Sequence, residues 1–600
     1  MPQHTHHVSP VNHDLAAAGR EPPPEPETQG MHSCADHATQ LAILANAMRA
    51  IADEMGAILV RSAFSTIVRE ARDCATALLD AEGQVVAQGE MIPIHNGGLS
   101  QAFRASAEQL DLSGIGPDSA ILLNDPYAGG QHLNDIILFQ PIFVDGTLLG
   151  WAGNTAHHLD VGGGGAGIHI DASELIQEGI ILPPLLIDVK KDLFGGPIDR
   201  LVFANVRTPE LGRGDFYAQL AANRTGVARM QELAARVGIE AVRAAMRSSL
   251  DHAERSMRAA IGQLPRGSWL GQAMIDNDVR GDQPLRIQVR VTVEQGGNIV
   301  LDCAGSAPQV RSMFNCSAAS ALAAAVCAVR SALADQDIPA NDGCLRPVRL
   351  LLPQGSILRP DPGLPVRARM LPAYRLLDAV HDALAQAVPE RVPAQGFNST
   401  TGLYLTQKRA DGGTRIYADV LGGGYGAARG YDGAHALAGI LSSSRNTPVE
   451  SIEQIHPQLR MLHYRLVPDS CGAGQWRGGL GFSRAIEVLE DGVELSFYSE
   501  HFRYPPRGRA GGSDAMCGAL LIRRGSETMR LPNTDAVRLR KGDIVELTVG
   551  GGAGWGDPAA RDAQAVAADL ADGIITAAHV RRHYGAQLAA PAAPATLATE

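Results

Sequence analysis

The sequence predicts an α+β chain, a large mixed polypeptide that is helical in its N-terminal part and strand-rich toward its C-terminus. Three observations carry that expectation. Apolar residues recur at helical spacing from 38 to 64 (Leu41, Leu44, Met48, Ile51, Met55, Ile58, Leu59). An Ala-, Arg- and Glu-rich helical run fills 216–262, with Gly238 dividing it in two. Residues 455–550 break instead into short β-type runs between turn residues.

In chain order, residues 1–35 are rich in Pro, His and Glu and lack apolar periodicity, so they read as a disordered tail whose His4, His6, His7 and His13 are solvated. A region 36–262 follows, beginning with the helix above. Residues 75–87 read as strand, turn and strand with Gly83 in the turn, and 120–123 and 136–144 as further strands. Asp145-Gly146 is a hairpin signal that returns the chain through a strand over 147–153. A central mixed region, 263–454, holds paired strands at 285–293 and 298–303 around Gly296-Gly297, then helices over 318–333 and 376–388. The strand-rich region 455–560 comes next, and 561–600 closes the chain with helical segments and an Ala/Pro tail. No internal repeat is present.

Composition narrows the function classes. Of the 600 residues 45% are hydrophobic and 19% charged, which suits ordinary globular domains. A net charge of −12 without a basic stripe argues against nucleic-acid binding. The eight cysteines form no CxxC pair and read as reduced thiols of a cytoplasmic protein. Neither a membrane-spanning apolar run nor a secretory leader is expected.

Glycine clusters at 162–165, 422–426 and 550–556 contain no GxxxxGK[ST] phosphate loop, and none follows a strand and opens a helix as a dinucleotide fingerprint does. They read as tight turns or as places where backbone approaches backbone or ligand.

The chemistry concentrates in Gln131-His132-Leu133-Asn134-Asp135 and Ala156-His157-His158-Leu159-Asp160. Imidazole nitrogen with carboxylate oxygen and no thiolate is a donor set for Zn²⁺, Mn²⁺ or Fe²⁺. The turn-rich Asn124-Asp125-Pro126-Tyr127-Ala128-Gly129-Gly130 places His132 and Asp135 on a loop at a strand end. The hairpin through Asp145-Gly146 returns His157 toward Asp135. Asp73, immediately before a strand, is the first choice for a further oxygen ligand, with Glu90 and Asp160 in reserve. His158 and Asp160 form a candidate pair to hold a liganding imidazole in one tautomer. The plainer alternative is a set of hydrogen-bonded turn residues. His95, Glu178, Asp215 and Arg477 are further polar residues for which turn capping and buried ion pairs are the commoner roles.

These stretches resemble the hydantoinase B/oxoprolinase family, which includes the B-type chains of N-methylhydantoinases and the large subunits of acetone and acetophenone carboxylases. The matching segments are Arg69 to Asp80, Asn124 to Asp135, Ala156 to Gly163, Gln177-Glu178-Gly179, Asn341-Asp342-Gly343-Cys344, Gly422 to Gly426, Asn446 to Glu450, Asp469 to Gly474 with Arg477-Gly478-Gly479, and Gly550 to Pro558. Cys74, Gln131, Asn134, Met370 to Ala373 and Cys471 depart from the family's usual residues and bear on substrate choice. The resemblance implies a divalent metal, zinc or manganese, held by Asp73, His132, Asp135 and His157. It also implies an A-type partner subunit that binds ATP, consistent with the missing phosphate loop, and phosphorylates a carbonyl or enol oxygen of the substrate.

The expected function is therefore the B-type subunit of an ATP-dependent hydrolase that opens a hydantoin, lactam or oxoproline-like cyclic amide within a hetero-oligomer. Two alternatives stand beside it. One is the large subunit of a ketone carboxylase, with a small third subunit; the other is a non-catalytic scaffold for the A-type subunit.

Overall fold

A computed structural model describes residues 29–334 and 337–589, with side chains in the first helix from residue 39. Helix α1 (Gln29–Ser62) buries the expected stripe of Leu44, Met48, Ile51, Met55 and Leu59. It begins inside the span read as a tail; residues 1–28 of that span lie outside the described residues. The turn α2 (Thr66–Arg69), capped by the Ser65 hydroxyl, leads into β1 (Cys74–Asp80) and β2 (Val85–Gln88), which turn at Gly83 as expected. Helices α3 (Pro93–Asn96) and α4 (Leu99–Gln109) precede β3 (Ser119–Leu123), β4 (Asp135–Val144), β5 (Thr147–His157) and β6 (Leu185–Asp188). Asp145 and Gly146 both take left-handed φ, 49° and 76°, the geometry a two-residue hairpin needs.

These strands form one antiparallel sheet in the order β2-β1-β5-β4-β3-β6. Every residue of β1 is buried because both faces are covered. After α5 (Val189–Asp192) and α6 (Pro197–Ala204), α7 (Pro209–Val237) lies on one face. There a Cβ at Gly226 would meet Ala152 of β5 at 3.1 Å and also touch Met55 of α1. On the other face Phe103 of α4 packs edge-on against Phe139 and Trp151, with centroids 5.4 and 4.9 Å away. Gly238 (φ 88°) separates α7 from α8 (Ile239–Gly262), as its place in the sequence predicts.

A second sheet holds β7 (Gly267–Ile275), β8 (Leu285–Val293), β9 (Ile299–Asp302) and β10 (Val348–Leu351), in the order β10-β9-β8-β7. Its strands alternate buried and exposed residues because helices cover one face. Helix α10 (Met370–Leu384) sits directly on β7 at Gly271, where a side chain would strike its backbone, and packs in turn on α9 (Ala318–Ser331).

The rest is β-rich: β11 (Thr401–Lys408), β12 (Thr414–Leu421), α11 (Val449–Ile455), β13 (Leu459–Leu466), β14 (Phe482–Val488), β15 (Val493–Tyr498), β16 (Ala519–Arg524), β17 (Glu527–Leu531), β18 (Thr534–Arg538) and β19 (Ile544–Thr548). They make two sheets, β12-β11-β15-β18 and β13-β14-β19-β16-β17, which share an apolar layer including Leu405, Tyr417, Phe482, Phe497 and Ile522. Thus β11 and β12, within the span read as a central mixed region, pair into the C-terminal sheets. Helices α12 (Ala563–Ala571) and α13 (Ala577–His583) follow.

The later glycine clusters stitch backbone to backbone. Gly424 N donates to Gly550 O at 3.1 Å, Gly552 N to Gly479 O at 2.9 Å and Gly479 N to Tyr425 O at 2.8 Å. A Cβ on Gly552 would overlap Tyr425 O, so only glycine permits that approach. Among the described residues no helix is long and apolar enough to cross a membrane.

Candidate metal centre

The antiparallel register sets three of the expected ligands in a row. Asp135 opens β4 and pairs directly with His157, the last residue of β5. On the other side of β5, Cys74 pairs with Ala156, so Asp73 stands beside His157, whose N–H donates to Asp73 O at 2.9 Å. His132 comes from the loop ahead of β4. That loop is held by Asn124, whose amide donates to Leu133 O at 2.7 Å, and by Asn134, whose amide donates to His158 O at 2.6 Å. Gly129 (φ 87°) lets the loop lie on α4, since a Cβ there would sit 2.6 Å from Ala102 N.

All four side chains are nearly sealed from solvent, with Asp135 at 0% and Asp73, the most open, at 8% exposure. The rings of His132 and His157 lie 5.0 Å apart, centroid to centroid. His132 Nδ1 is 2.7 Å from Asp135 Oδ2 but is not aligned as a hydrogen bond. His95, from α3, bonds Asp73 Oδ1 through Nε2 at 2.8 Å, and its Nδ1 lies 3.7 Å from Asp135 Oδ2. Arg369 donates to the same Asp135 oxygen at 2.6 Å.

Burial holds the His132 imidazole well below its ordinary pKa, helped by the charges of Arg369 and Arg367. Burial also takes His157 down to about 3, against the attraction of Asp73. Both rings are therefore neutral, the form that donates a lone pair to a metal. His95 shifts the other way: burial opposes its proton, but Asp135 and the bond to Asp73 outweigh that. Asp73 is pushed up by burial, yet His95 and His157 bring it below its usual range.

The donor set fits a divalent cation. Nδ1 of His132, Nδ1 of His157 and Oδ1 of Asp135 are all buried without a hydrogen-bond partner among the described residues. Unsatisfied polar atoms cost free energy that a ligand would recover. Among the described residues, no three His, Cys, Asp or Glu side chains already surround a single point. His95 and Arg369 instead take up carboxylate oxygens.

The two reserve oxygens lie elsewhere in role. Glu90 is exposed, its N–H bonded to Asp53, and Asp160 is engaged by Arg207 and Gly162 N. The expected His158–Asp160 pairing on a liganding imidazole is not made: His158 Nε2 bonds Gln219 Oε1 at 2.9 Å, across the sheet on α7. Asp215 caps Phe64 N and Ser65 N, and Arg477 pairs with Asp569 at 2.9 Å, the plain roles expected of them. Glu178 accepts from Val366 N and Arg367 N. His95 is different, because α3 carries it into the cluster. Arg369 has no signal in the sequence that would link it to the site, since it lies far along the chain from Asp135.

The model of the family described as Hydantoinase B/oxoprolinase matches residues 37–558. The B-type chain of a putative D-/L-hydantoinase from Pseudomonas sp. (strain NS671) is 31% identical over 90% of this chain and 94% of its own. The crystal structure of ATP-dependent caprolactamase from Pseudomonas jessenii superposes with a TM-score of 0.85 at 27% identity, covering 91% of this chain and 96% of the other. An acetone carboxylase nucleotide-free structure shares the fold, with a TM-score of 0.82 at 20% identity over 91% of this chain and 79% of the other.

Proposed function

The chain belongs to the hydantoinase B/oxoprolinase family, and from that premise we propose that it is the B-type subunit of an ATP-dependent, metal-dependent hydrolase that opens a cyclic amide. The substrate is a hydantoin, a lactam or an oxoproline-like ring, activated by phosphorylation on an A-type, ATP-binding partner. Relatives named as a hydantoinase B-type chain and an ATP-dependent caprolactamase support this reading. The absence of a phosphate-loop motif from the sequence agrees with ATP binding elsewhere.

The observation that carries it is the row Asp73–His157–Asp135 across three adjacent strands, joined by His132 from the preceding loop. These four residues are the ones we assign to the cation, zinc or manganese. A bound divalent ion lowers the pKa of water or polarises an oxygen, which an unstrained amide needs. His132 and His157 are kept neutral by burial and present lone pairs. His95 Nε2 is bonded to Asp73 Oδ1, and Arg369 donates to Asp135, so both carboxylates are oriented by hydrogen bonds. The seven described cysteines are all free, which suits a cytoplasmic enzyme.

Elemental analysis of the purified complex with its A-type partner, coupled to an ADP-release screen over hydantoins, lactams and ketones, tests the proposal. Bound divalent metal, with ADP released on cyclic amides and without bicarbonate, is the expected result; this chain alone releases none. Release on ketones only, and only with bicarbonate, would make it a carboxylase component instead. A metal-free, fully active complex would sink the metal assignment.

A further inference from the structure

Gln131 stands one residue before His132 and is 2% exposed, yet it is not among the four residues assigned to the cation. Its carboxamide joins two parts of the chain that reach the cluster separately. On one side Nε2 donates to Ile94 O in α3, next to His95. On the other, Oε1 accepts from Arg369 Nη2 at 3.4 Å, the same nitrogen that donates to Asp135 Oδ2 at 2.6 Å. Gly98 leaves room for this side chain, because a Cβ there would lie 3.0 Å from Gln131 Nε2.

These contacts close a circuit between the two carboxylates. It runs from Asp73 to His95, through the α3 backbone to Ile94 O, across Gln131 to Arg369 and on to Asp135. Helix α3 is a single turn of four residues, too short to be stable by itself, so bonds to the rest of the chain place it. Ile94 N donates to Leu441 O at 3.1 Å and Asn96 Nδ2 to Gly89 O at 3.3 Å. Gln131 supplies the tie from the loop that also carries His132. The arrangement is specific to a carboxamide. Ile94 O only accepts and a guanidinium only donates, so the amide fits in one orientation. An apolar side chain would leave the buried carbonyl and Arg369 with one bond fewer each.

We infer that Gln131 is a positioning residue for the metal centre: by tying α3 to Arg369 it holds Asp73 and Asp135 at a fixed spacing. That this pair serves a cation rests on the proposed function, whereas the hold on α3 and Arg369 stands without it. Outer partners of this kind set how tightly ligands grip a metal without touching it.

The test uses Gln131→Met, which keeps the length of the side chain and removes both bonds. In the purified full chain stripped of metal, mass spectrometry follows phenylglyoxal modification of Arg369, which is 4% exposed. Modification several-fold faster in Gln131→Met than in the parent chain is expected. After reloading with Mn²⁺, competition with a chelator should show binding weaker by about tenfold, and the Mn²⁺ EPR spectrum should change. In an Arg369→Met background the further loss on Gln131→Met should be smaller, because the link is already half broken. Additive losses in the double variant would mark simple packing and overturn the inference. So would equal Arg369 reactivity and equal Mn²⁺ affinity in Gln131→Met and the parent chain. If Gln131→Met does not fold, Gln131→Asn, a carboxamide too short to reach both partners, takes its place. A parent chain that binds no Mn²⁺ removes the metal centre, and the reactivity of Arg369 then decides the positioning role by itself.

Discussion

Among individual residues, Asp73 is the second carboxylate we assign to the proposed cation. Asp73 stands against His157 and His95, whereas Glu90 faces an open cleft. Asp73→Asn is therefore expected to weaken divalent-metal affinity by at least about tenfold in competition with a chelator, and Glu90→Gln to leave it unchanged. A second carboxyl gives a pH signature. Burial pushes Asp342 up to about 6, while its oxygens accept from Val85 N and Ser100 Oγ. The folded chain thus keeps a proton that the unfolded chain has already released. Stability is lost as pH rises from about 4 to about 6 and stays lower above that. Asp342→Asn keeps an acceptor for Val85 and a partner for Ser100, so it should flatten that fall and add roughly 1 kcal/mol at pH 7, after allowing for partial solvation. Urea unfolding at pH 4.5 and 7 reads both quantities.

Among the helices, strands and loops, two glycines separate backbone strain from site geometry. Gly238 and Gly129 share a left-handed φ, but a Cβ at Gly238 meets nothing within 4 Å whereas one at Gly129 sits 2.6 Å from Ala102 N. Alanine at either position should cost about 1–3 kcal/mol of stability in urea. Only Gly129→Ala should also loosen metal retention, because it displaces the loop that carries His132. Those loops and hairpins are where the sequence speaks most plainly. Asp145-Gly146 dictates a two-residue turn, and a one-residue register shift between Ile142 and Phe143 then sets Asp135 opposite His157. Local pattern cannot reach further. His95 joins the cluster through the placement of α3, and Arg369 meets Asp135 across 234 positions of chain. Likewise β11 and β12 give no clear strand signal, because nearly every residue of each is buried and the period-2 alternation that marks a half-exposed strand is missing.

Across the entire chain, one antiparallel sheet wrapped by helices on both faces carries the cluster at the end of its central strands, and the segment entering α10 brings Arg367 and Arg369 over it. The N-terminal sheet supplies the expected ligands; the middle of the chain supplies the guanidinium groups. The four residues we assign to the cation lie between 73 and 157, and Arg369 reaches Asp135 from the middle of the chain. The cluster itself is tested most directly by anomalous diffraction at the manganese edge, from crystals of the complex with its A-type partner grown with Mn²⁺. One strong peak is expected within coordination distance of Asp73, His132, Asp135 and His157 together. A well-ordered complex with no peak there, or with the imidazoles of His132 and His157 on different ions, would contradict a shared metal centre.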